Sequence, residues 1–194
     1  MPNKRRRSKK TNNRRGAHTQ QQLLNKQIDR PIFRLVDLFY NAVDDTADLN
    51  IDIYTLLNSS SDFADVKENF GEIMLQFIQV RGVPRHAYTT TVTDYALGAV
   101  ALRQGPYDVV TTYSVTQVLA MPGSYLLNNY MTFVLPEMKI AQKQFLPSNI
   151  SNNTSSSFPK LNLFFGWQTN ASTNTGNLCL HIKVGILCKS RIGF

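Results

Sequence analysis

Residues 178–188 read Leu-Cys-Leu-His-Ile-Lys-Val-Gly-Ile-Leu-Cys, and positions 178, 180, 182, 184 and 186 are all aliphatic. Side chains of a strand alternate between its two faces, so this run specifies a long strand with one wholly apolar face. That face needs a second layer to cover it. Just upstream, Leu161, Leu163, Phe165 and Trp167 alternate with Asn162, Phe164, Gly166 and Gln168. The residues between, 169–177, are Thr, Asn, Ala, Ser and Gly, which is turn chemistry. The two strands are expected to form a hairpin whose apolar faces share a core.

Shorter runs have the same character. Residues 49–53 alternate cleanly, and residues 73–80 are rich in β-formers, with a phase slip near Phe77 and Ile78 that signals a bulge. Residues 97–102 and 131–135 follow, bounded by Gly or Pro. The β-branched and aromatic content of residues 32–40 favours a strand over a short helix. Residues 112–121, ending at Pro122 and Gly123, read as a single short helix. Seven or eight strands joined by polar loops indicate an all-β antiparallel sandwich or barrel. With 194 residues and 42% hydrophobic content there is material for one full core.

Charge is distributed very unevenly. Residues 1–28 hold nine Lys and Arg and no acid, whereas residues 29–194 hold twelve basic and thirteen acidic side chains. The formal +8 of the molecule is therefore the charge of its first segment, attached to a nearly neutral body. Residues 1–27 have almost nothing to bury, so they are expected to be a disordered arm, with residues 28–194 as the folded domain. The arm has no apolar stripe, which disfavours membrane insertion. Its cations, Lys4, Arg5, Arg6, Arg7, Lys9, Lys10, Arg14 and Arg15, suit a phosphate polyanion. Binding by counterion release is strong, salt-sensitive and indifferent to base sequence. The arm contains no aromatic residue to stack on bases. The run from Lys4 to Lys10 would also serve nuclear import receptors, with or without packaging. No apolar leader precedes it, so synthesis in the cytosol is expected.

Signs of catalysis are lacking. The chain has no Gly-rich phosphate loop, paired-Cys zinc spacing, His-Glu-x-x-His or Gly-x-Ser-x-Gly. His18, His86 and His181 are scattered, without local partners. No enzyme activity, cofactor or resident metal is expected. Nine of the thirteen acids fall between Asp37 and Glu72. Within them Asp44, Asp45 and Asp48 form a weak candidate for calcium at a subunit contact, against the plainer reading of a solvated loop. Cys179 and Cys188 are nine residues apart, an odd separation that sends them to opposite faces of a strand and rules out a shared disulfide or metal there.

A basic arm followed by an eight-stranded body resembles the single jelly-roll capsid proteins of small icosahedral viruses, satellite-type or circovirus-like. The residues carrying the resemblance are 70–84, similar to the family's third strand, and 98–102, similar to the next. Residues 113–121 match the helix inserted mid-roll, and 175–187 the long final strand. The resemblance implies an eight-stranded antiparallel jelly-roll sandwich with one short inserted helix. It implies a virion component of identical subunits whose arms face a single-stranded RNA or DNA genome, made in the host cytoplasm with passage through the nucleus open. About 60 copies would bring roughly 540 arm charges to bear on a genome of about a thousand nucleotides. The competing expectation is a cellular nucleic-acid-binding β-barrel with a basic tail.

Overall fold

The computed structural model describes residues 30–43, 48–84, 97–105, 112–128, 131–148, 160–168 and 178–192. In chain order the elements are β1 (Ile32–Val43), β2 (Leu49–Asp52), α1 (Ile53–Ser59), α2 (Ser61–Asn69), β3 (Phe70–Pro84) and β4 (Leu97–Gln104). There follow α3 (Val115–Leu119), β5 (Tyr125–Asn128), β6 (Phe133–Val134), β7 (Met138–Lys139), β8 (Leu146–Pro147), β9 (Leu161–Gln168) and β10 (Leu178–Arg191).

Two antiparallel sheets face each other. One has the order β1-β10-β3, with β6, β7 and β8 pairing in turn along the far edge of β3. The other has the order β2-β9-β4-β5. The three two-residue bridges act as one interrupted edge strand. Counted that way, eight strands lie in two sheets of four, with the first strand beside the last. This is the jelly-roll sandwich.

The apolar row of β10 behaves as its spacing demands. Leu178, Leu180, Ile182, Val184 and Ile186 are buried in one cluster with Val36, Leu38, Leu75, Ile78 and Val80 of the same sheet. Ile51, Val100, Leu163, Phe165 and Trp167 of the other sheet complete it. The slip in β3 is also present. Gly185 pairs with Phe77 and Ile186 with Leu75, so Gln76 is the extra residue.

The expected hairpin of β9 and β10 is not formed. The two strands lie in opposite sheets, β9 between β2 and β4 and β10 between β1 and β3. The physical reason is the pair of apolar rows itself. Neighbours in one sheet would present both rows on the same side, still in need of a cover, whereas opposed sheets let each row cover the other.

The helix expected at 112–121 is present as α3, where the Ser114 N–H donates to Gln117 Oε1 at 2.9 Å across the first turn. The structure adds two helices that strand alternation concealed, so the described residues hold three rather than one. Asp52 ends β2 and caps α1, its Oδ1 accepting from the Tyr54 N–H at 3.0 Å and its Oδ2 from Thr55 Oγ1 at 2.8 Å. Ile53 and Leu57 of α1, with Phe63 and Val66 of α2, then close the end of the core. Among the described residues no helix is long and apolar enough to cross a membrane.

The sheets differ on their outer sides. Helix α3 lies against β4 and β9, burying Ala99, Ala101, Val118 and Phe164 in a second small cluster. At Gly166 the backbone of Ser114 and Val115 comes so near that a Cβ would meet it. Asn162 is buried as well, its Nδ2 donating to Asn50 Oδ1 at 2.9 Å across the β2–β9 pair.

Cys179 and Cys188 are both free and lie on opposite faces of β10. Burial pushes the Cys188 thiol up to about 11, although Arg34 opposes this in part. Iodoacetamide at pH 8 should therefore modify Cys179 in the native protein and Cys188 only after denaturant is added, which peptide mass spectrometry reads directly. A second expectation concerns the central row. Val184→Asp places an unpaired carboxylate at a fully buried position, at a cost of several kcal/mol out of a typical total of about 5–15 kcal/mol. Lys183→Asp, on the outer row, should cost less than about 1 kcal/mol. Thermal melts of the two variants should differ accordingly, and equal losses would contradict a one-faced strand.

Candidate nucleic-acid interface

The arm cations Lys4, Arg5, Arg6, Arg7, Lys9, Lys10, Arg14 and Arg15 lie outside the described residues, as do Asp44 and Asp45. Asp48 is described, and its Oδ1 accepts a hydrogen bond from the Trp167 main-chain N–H at 3.0 Å, which anchors the end of β9. Among the described residues no group of three His, Cys, Asp or Glu is placed to hold a metal ion. What the structure does fix is where the preceding segment joins the body: the chain runs through Arg30 and Pro31 into β1, the outer strand of the β1-β10-β3 sheet.

The outer face of that sheet is built by strand alternation. With Val36 and Leu38 turned inward, Phe33, Leu35, Asp37 and Phe39 point outward, and Phe33, Leu35 and Phe39 are 51%, 44% and 68% exposed. Register sets them opposite Leu187, Gly185, Lys183 and His181 of β10. The next row, on β3, brings Phe77, Gln79 and Arg81 opposite Gly185, Lys183 and His181, and Glu72 opposite Lys189. On the far side of β3, Lys139 pairs with Phe77 and Val134 with Arg81.

Two aromatic contacts organise this surface. Phe39 and His181 stack in parallel, their ring centroids 4.8 Å apart and their planes 4° apart. His181 Nε2 and Asp37 Oδ1 are 2.6 Å apart, so Asp37 turns to the imidazole although Lys183 stands directly opposite it. Farther along, Phe33 and Phe77 stack at 6.1 Å across β10. Gly185 makes that possible, because the Phe77 ring lies where a Cβ would be. Among the described residues the result is an uncovered sheet face bearing aromatics together with Arg81, Lys139, Lys183 and Lys189. Cations and aromatics are interleaved across the strands of this face rather than along any one of them. The one linear trace of this arrangement is Phe33 and Phe39, both odd-numbered on β1 and hence on one face.

No protein-family model and no curated protein matches the sequence. Solved structures do match in fold. A chain of tobacco necrosis virus aligns with a TM-score of 0.63 at 11% identity, over 84% of this chain and 98% of that one. A chain of cocksfoot mottle virus aligns with a TM-score of 0.61 at 9% identity, over 84% and 97%. A T=1 subviral particle of a Penaeus vannamei nodavirus capsid protein deletion mutant aligns with a TM-score of 0.50 at 11% identity, over 84% and 94%. These are viral capsid chains, and the fold of the present chain is theirs, the single jelly roll of small icosahedral virus coats.

The packing at Gly185 gives a direct check of this surface. Gly185→Val should displace the Phe77 ring from Phe33 and cost about 1–3 kcal/mol through overpacking. In a Phe77→Ala background most of that extra cost should vanish, because the space is then free. Denaturant melts arranged as a double-mutant cycle measure the difference, and additive losses would mean that the ring does not occupy the glycine's face.

Proposed function

We propose that this chain is the coat subunit of a small icosahedral virus, a non-enzymatic protein that closes a shell of identical copies around a single-stranded genome. The observation that carries this reading is the presence, on one chain, of a jelly roll and a partitioned charge: +9 in residues 1–28 against −1 in the remainder. In this reading residues 28–194 form the wall, and residues 1–27 reach inward as the genome-binding arm through Lys4, Arg5, Arg6, Arg7, Lys9, Lys10, Arg14 and Arg15. Attraction to phosphate through released counterions needs neither order nor base readout in the arm. RNA and single-stranded DNA serve equally as the polyanion.

In this reading the shell comprises about 60 copies, the size of a closed icosahedral group. The virion is then the protein's final location, and the run from Lys4 to Lys10 can engage nuclear import receptors before assembly. A monomeric or dimeric cellular nucleic-acid-binding barrel is the contrasting reading. Solution mass separates the two: a species of 22.0 kDa at every concentration and salt would exclude a shell.

Deleting residues 1–27 should leave the body folded, with an unchanged thermal transition, while particles lose their nuclease-protected nucleic acid. Recovery of protected nucleic acid at the full-length level from the truncated protein would refute the arm's role.

A further inference from the structure

We propose that the outer face of the β1-β10-β3 sheet is a second contact for single-stranded nucleic acid. Phe33 and the Phe39–His181 stack hold unpaired bases there, and Arg81, Lys139, Lys183 and Lys189 meet the phosphates. The inference rests on the coat-protein reading and adds to it a surface of the folded body.

Three observations choose this occupant. First, the exposed apolar area is aromatic where it matters. Phe39, 68% exposed, stacks in parallel with His181 at 4.8 Å, and Phe33, 51% exposed, stands 6.1 Å from Phe77, so each exposed ring is held beside a second ring. Unpaired bases stack on such rings whatever their identity, while bases within a duplex have no free face to offer. Phe33 and Phe39 are six residues apart on β1, about 20 Å, which suits a segment of several nucleotides.

Second, the charge of the face is complementary to phosphate. Four cations stand against two carboxylates, Asp37 and Glu72; Asp37 is turned to His181, and Glu72 sits opposite Lys189. A second copy docking through the same face would bring like charge against like charge, which disfavours that occupant. Third, the segment carrying nine basic side chains enters the body at β1, along the margin of this face. A strand drawn in by those cations is delivered to the aromatics. On the opposite sheet the outer side of β4 and β9 is occupied by α3.

The test uses the full chain and a 20-nucleotide single-stranded oligonucleotide carrying 5-iodouracil. Photoadducts should form at Phe33, Phe39 or His181 as well as within residues 1–29. In fluorescence anisotropy, Phe33→Leu with Phe39→Leu, which keeps apolar area but removes the rings, should weaken binding by about tenfold or more. Phe39→Tyr should bind like the native chain. Arg81→Gln with Lys183→Gln should lower the slope of log affinity against log salt by about 1.4, the value for two phosphate contacts on a single strand.

Adducts confined to residues 1–29, with unchanged affinity in the leucine variants, would overturn this proposal and leave the arm's role standing. A full chain that binds no oligonucleotide at low salt would remove both. Leucine variants that reduce particle mass without changing affinity would assign the face to contacts between copies, against the proposal. Should the leucine variants fail to fold, the photoadducts on the native chain decide alone.

Discussion

The structure depends on the placement of β10 between β1 and β3. Its main chain is paired on both sides, and its inner side chains, Leu178 to Ile186 in alternation, are buried against the opposite sheet. Burial of each such side chain contributes about 1.5–3 kcal/mol. A slip of one residue would turn the whole row to solvent and expose the mixed outer row to the core. That penalty fixes the register of three strands at once. It also determines what the outer face carries, since every outward residue on β1 and β3 is aligned by its β10 partner. The juxtaposition of Phe39 with His181, and of Phe77 with Phe33 across Gly185, follows from the burial of Val184 and its neighbours.

The two sheets spend their outer faces differently. On β4 and β9 the outward residues are small or glycine at the points where α3 approaches, Ala99, Ala101 and Gly166, so a helix can lie close. On the β1-β10-β3 sheet the outward residues include large aromatics and cations, and the described residues place no helix over them. The domain is therefore chemically two-sided.

Strand identity was legible in the sequence wherever one face is apolar. Residues 161–168 and the 178–188 core of β10 could be read from alternation alone, and even the bulge at Gln76 left a trace as a phase slip. Strand partnership was not legible. Alternation tells which residues share a face and says nothing about which strand lies alongside, so β9 and β10 were paired as neighbours when each covers the other from across the sandwich. The helices α1 and α2 were hidden because Ile53 continues the alternation of β2; only the cap at Asp52 and the spacing of Ile53 with Leu57 and Phe63 with Val66 betray them. The aromatic and basic face was invisible for a deeper reason. It draws residues from Phe33 to Lys189, and no local window contains more than one strand of it. The arm is the reverse case, where composition alone suggests the chemistry.

The pairing of β1 with β10 also governs the order in which the molecule can form. Among the described strands, β10 is the last to leave the ribosome, and until it does, β1 and β3 have no partner between them. Register pairs such as Ile32 with Cys188 span almost the whole body, a topology that folds slowly because its longest loops must close first. The first sheet, and with it the core, therefore assembles only after these strands have all been made. Nascent chains cannot display a finished sheet face, because the surface that β1 and β3 share exists only once β10 lies between them.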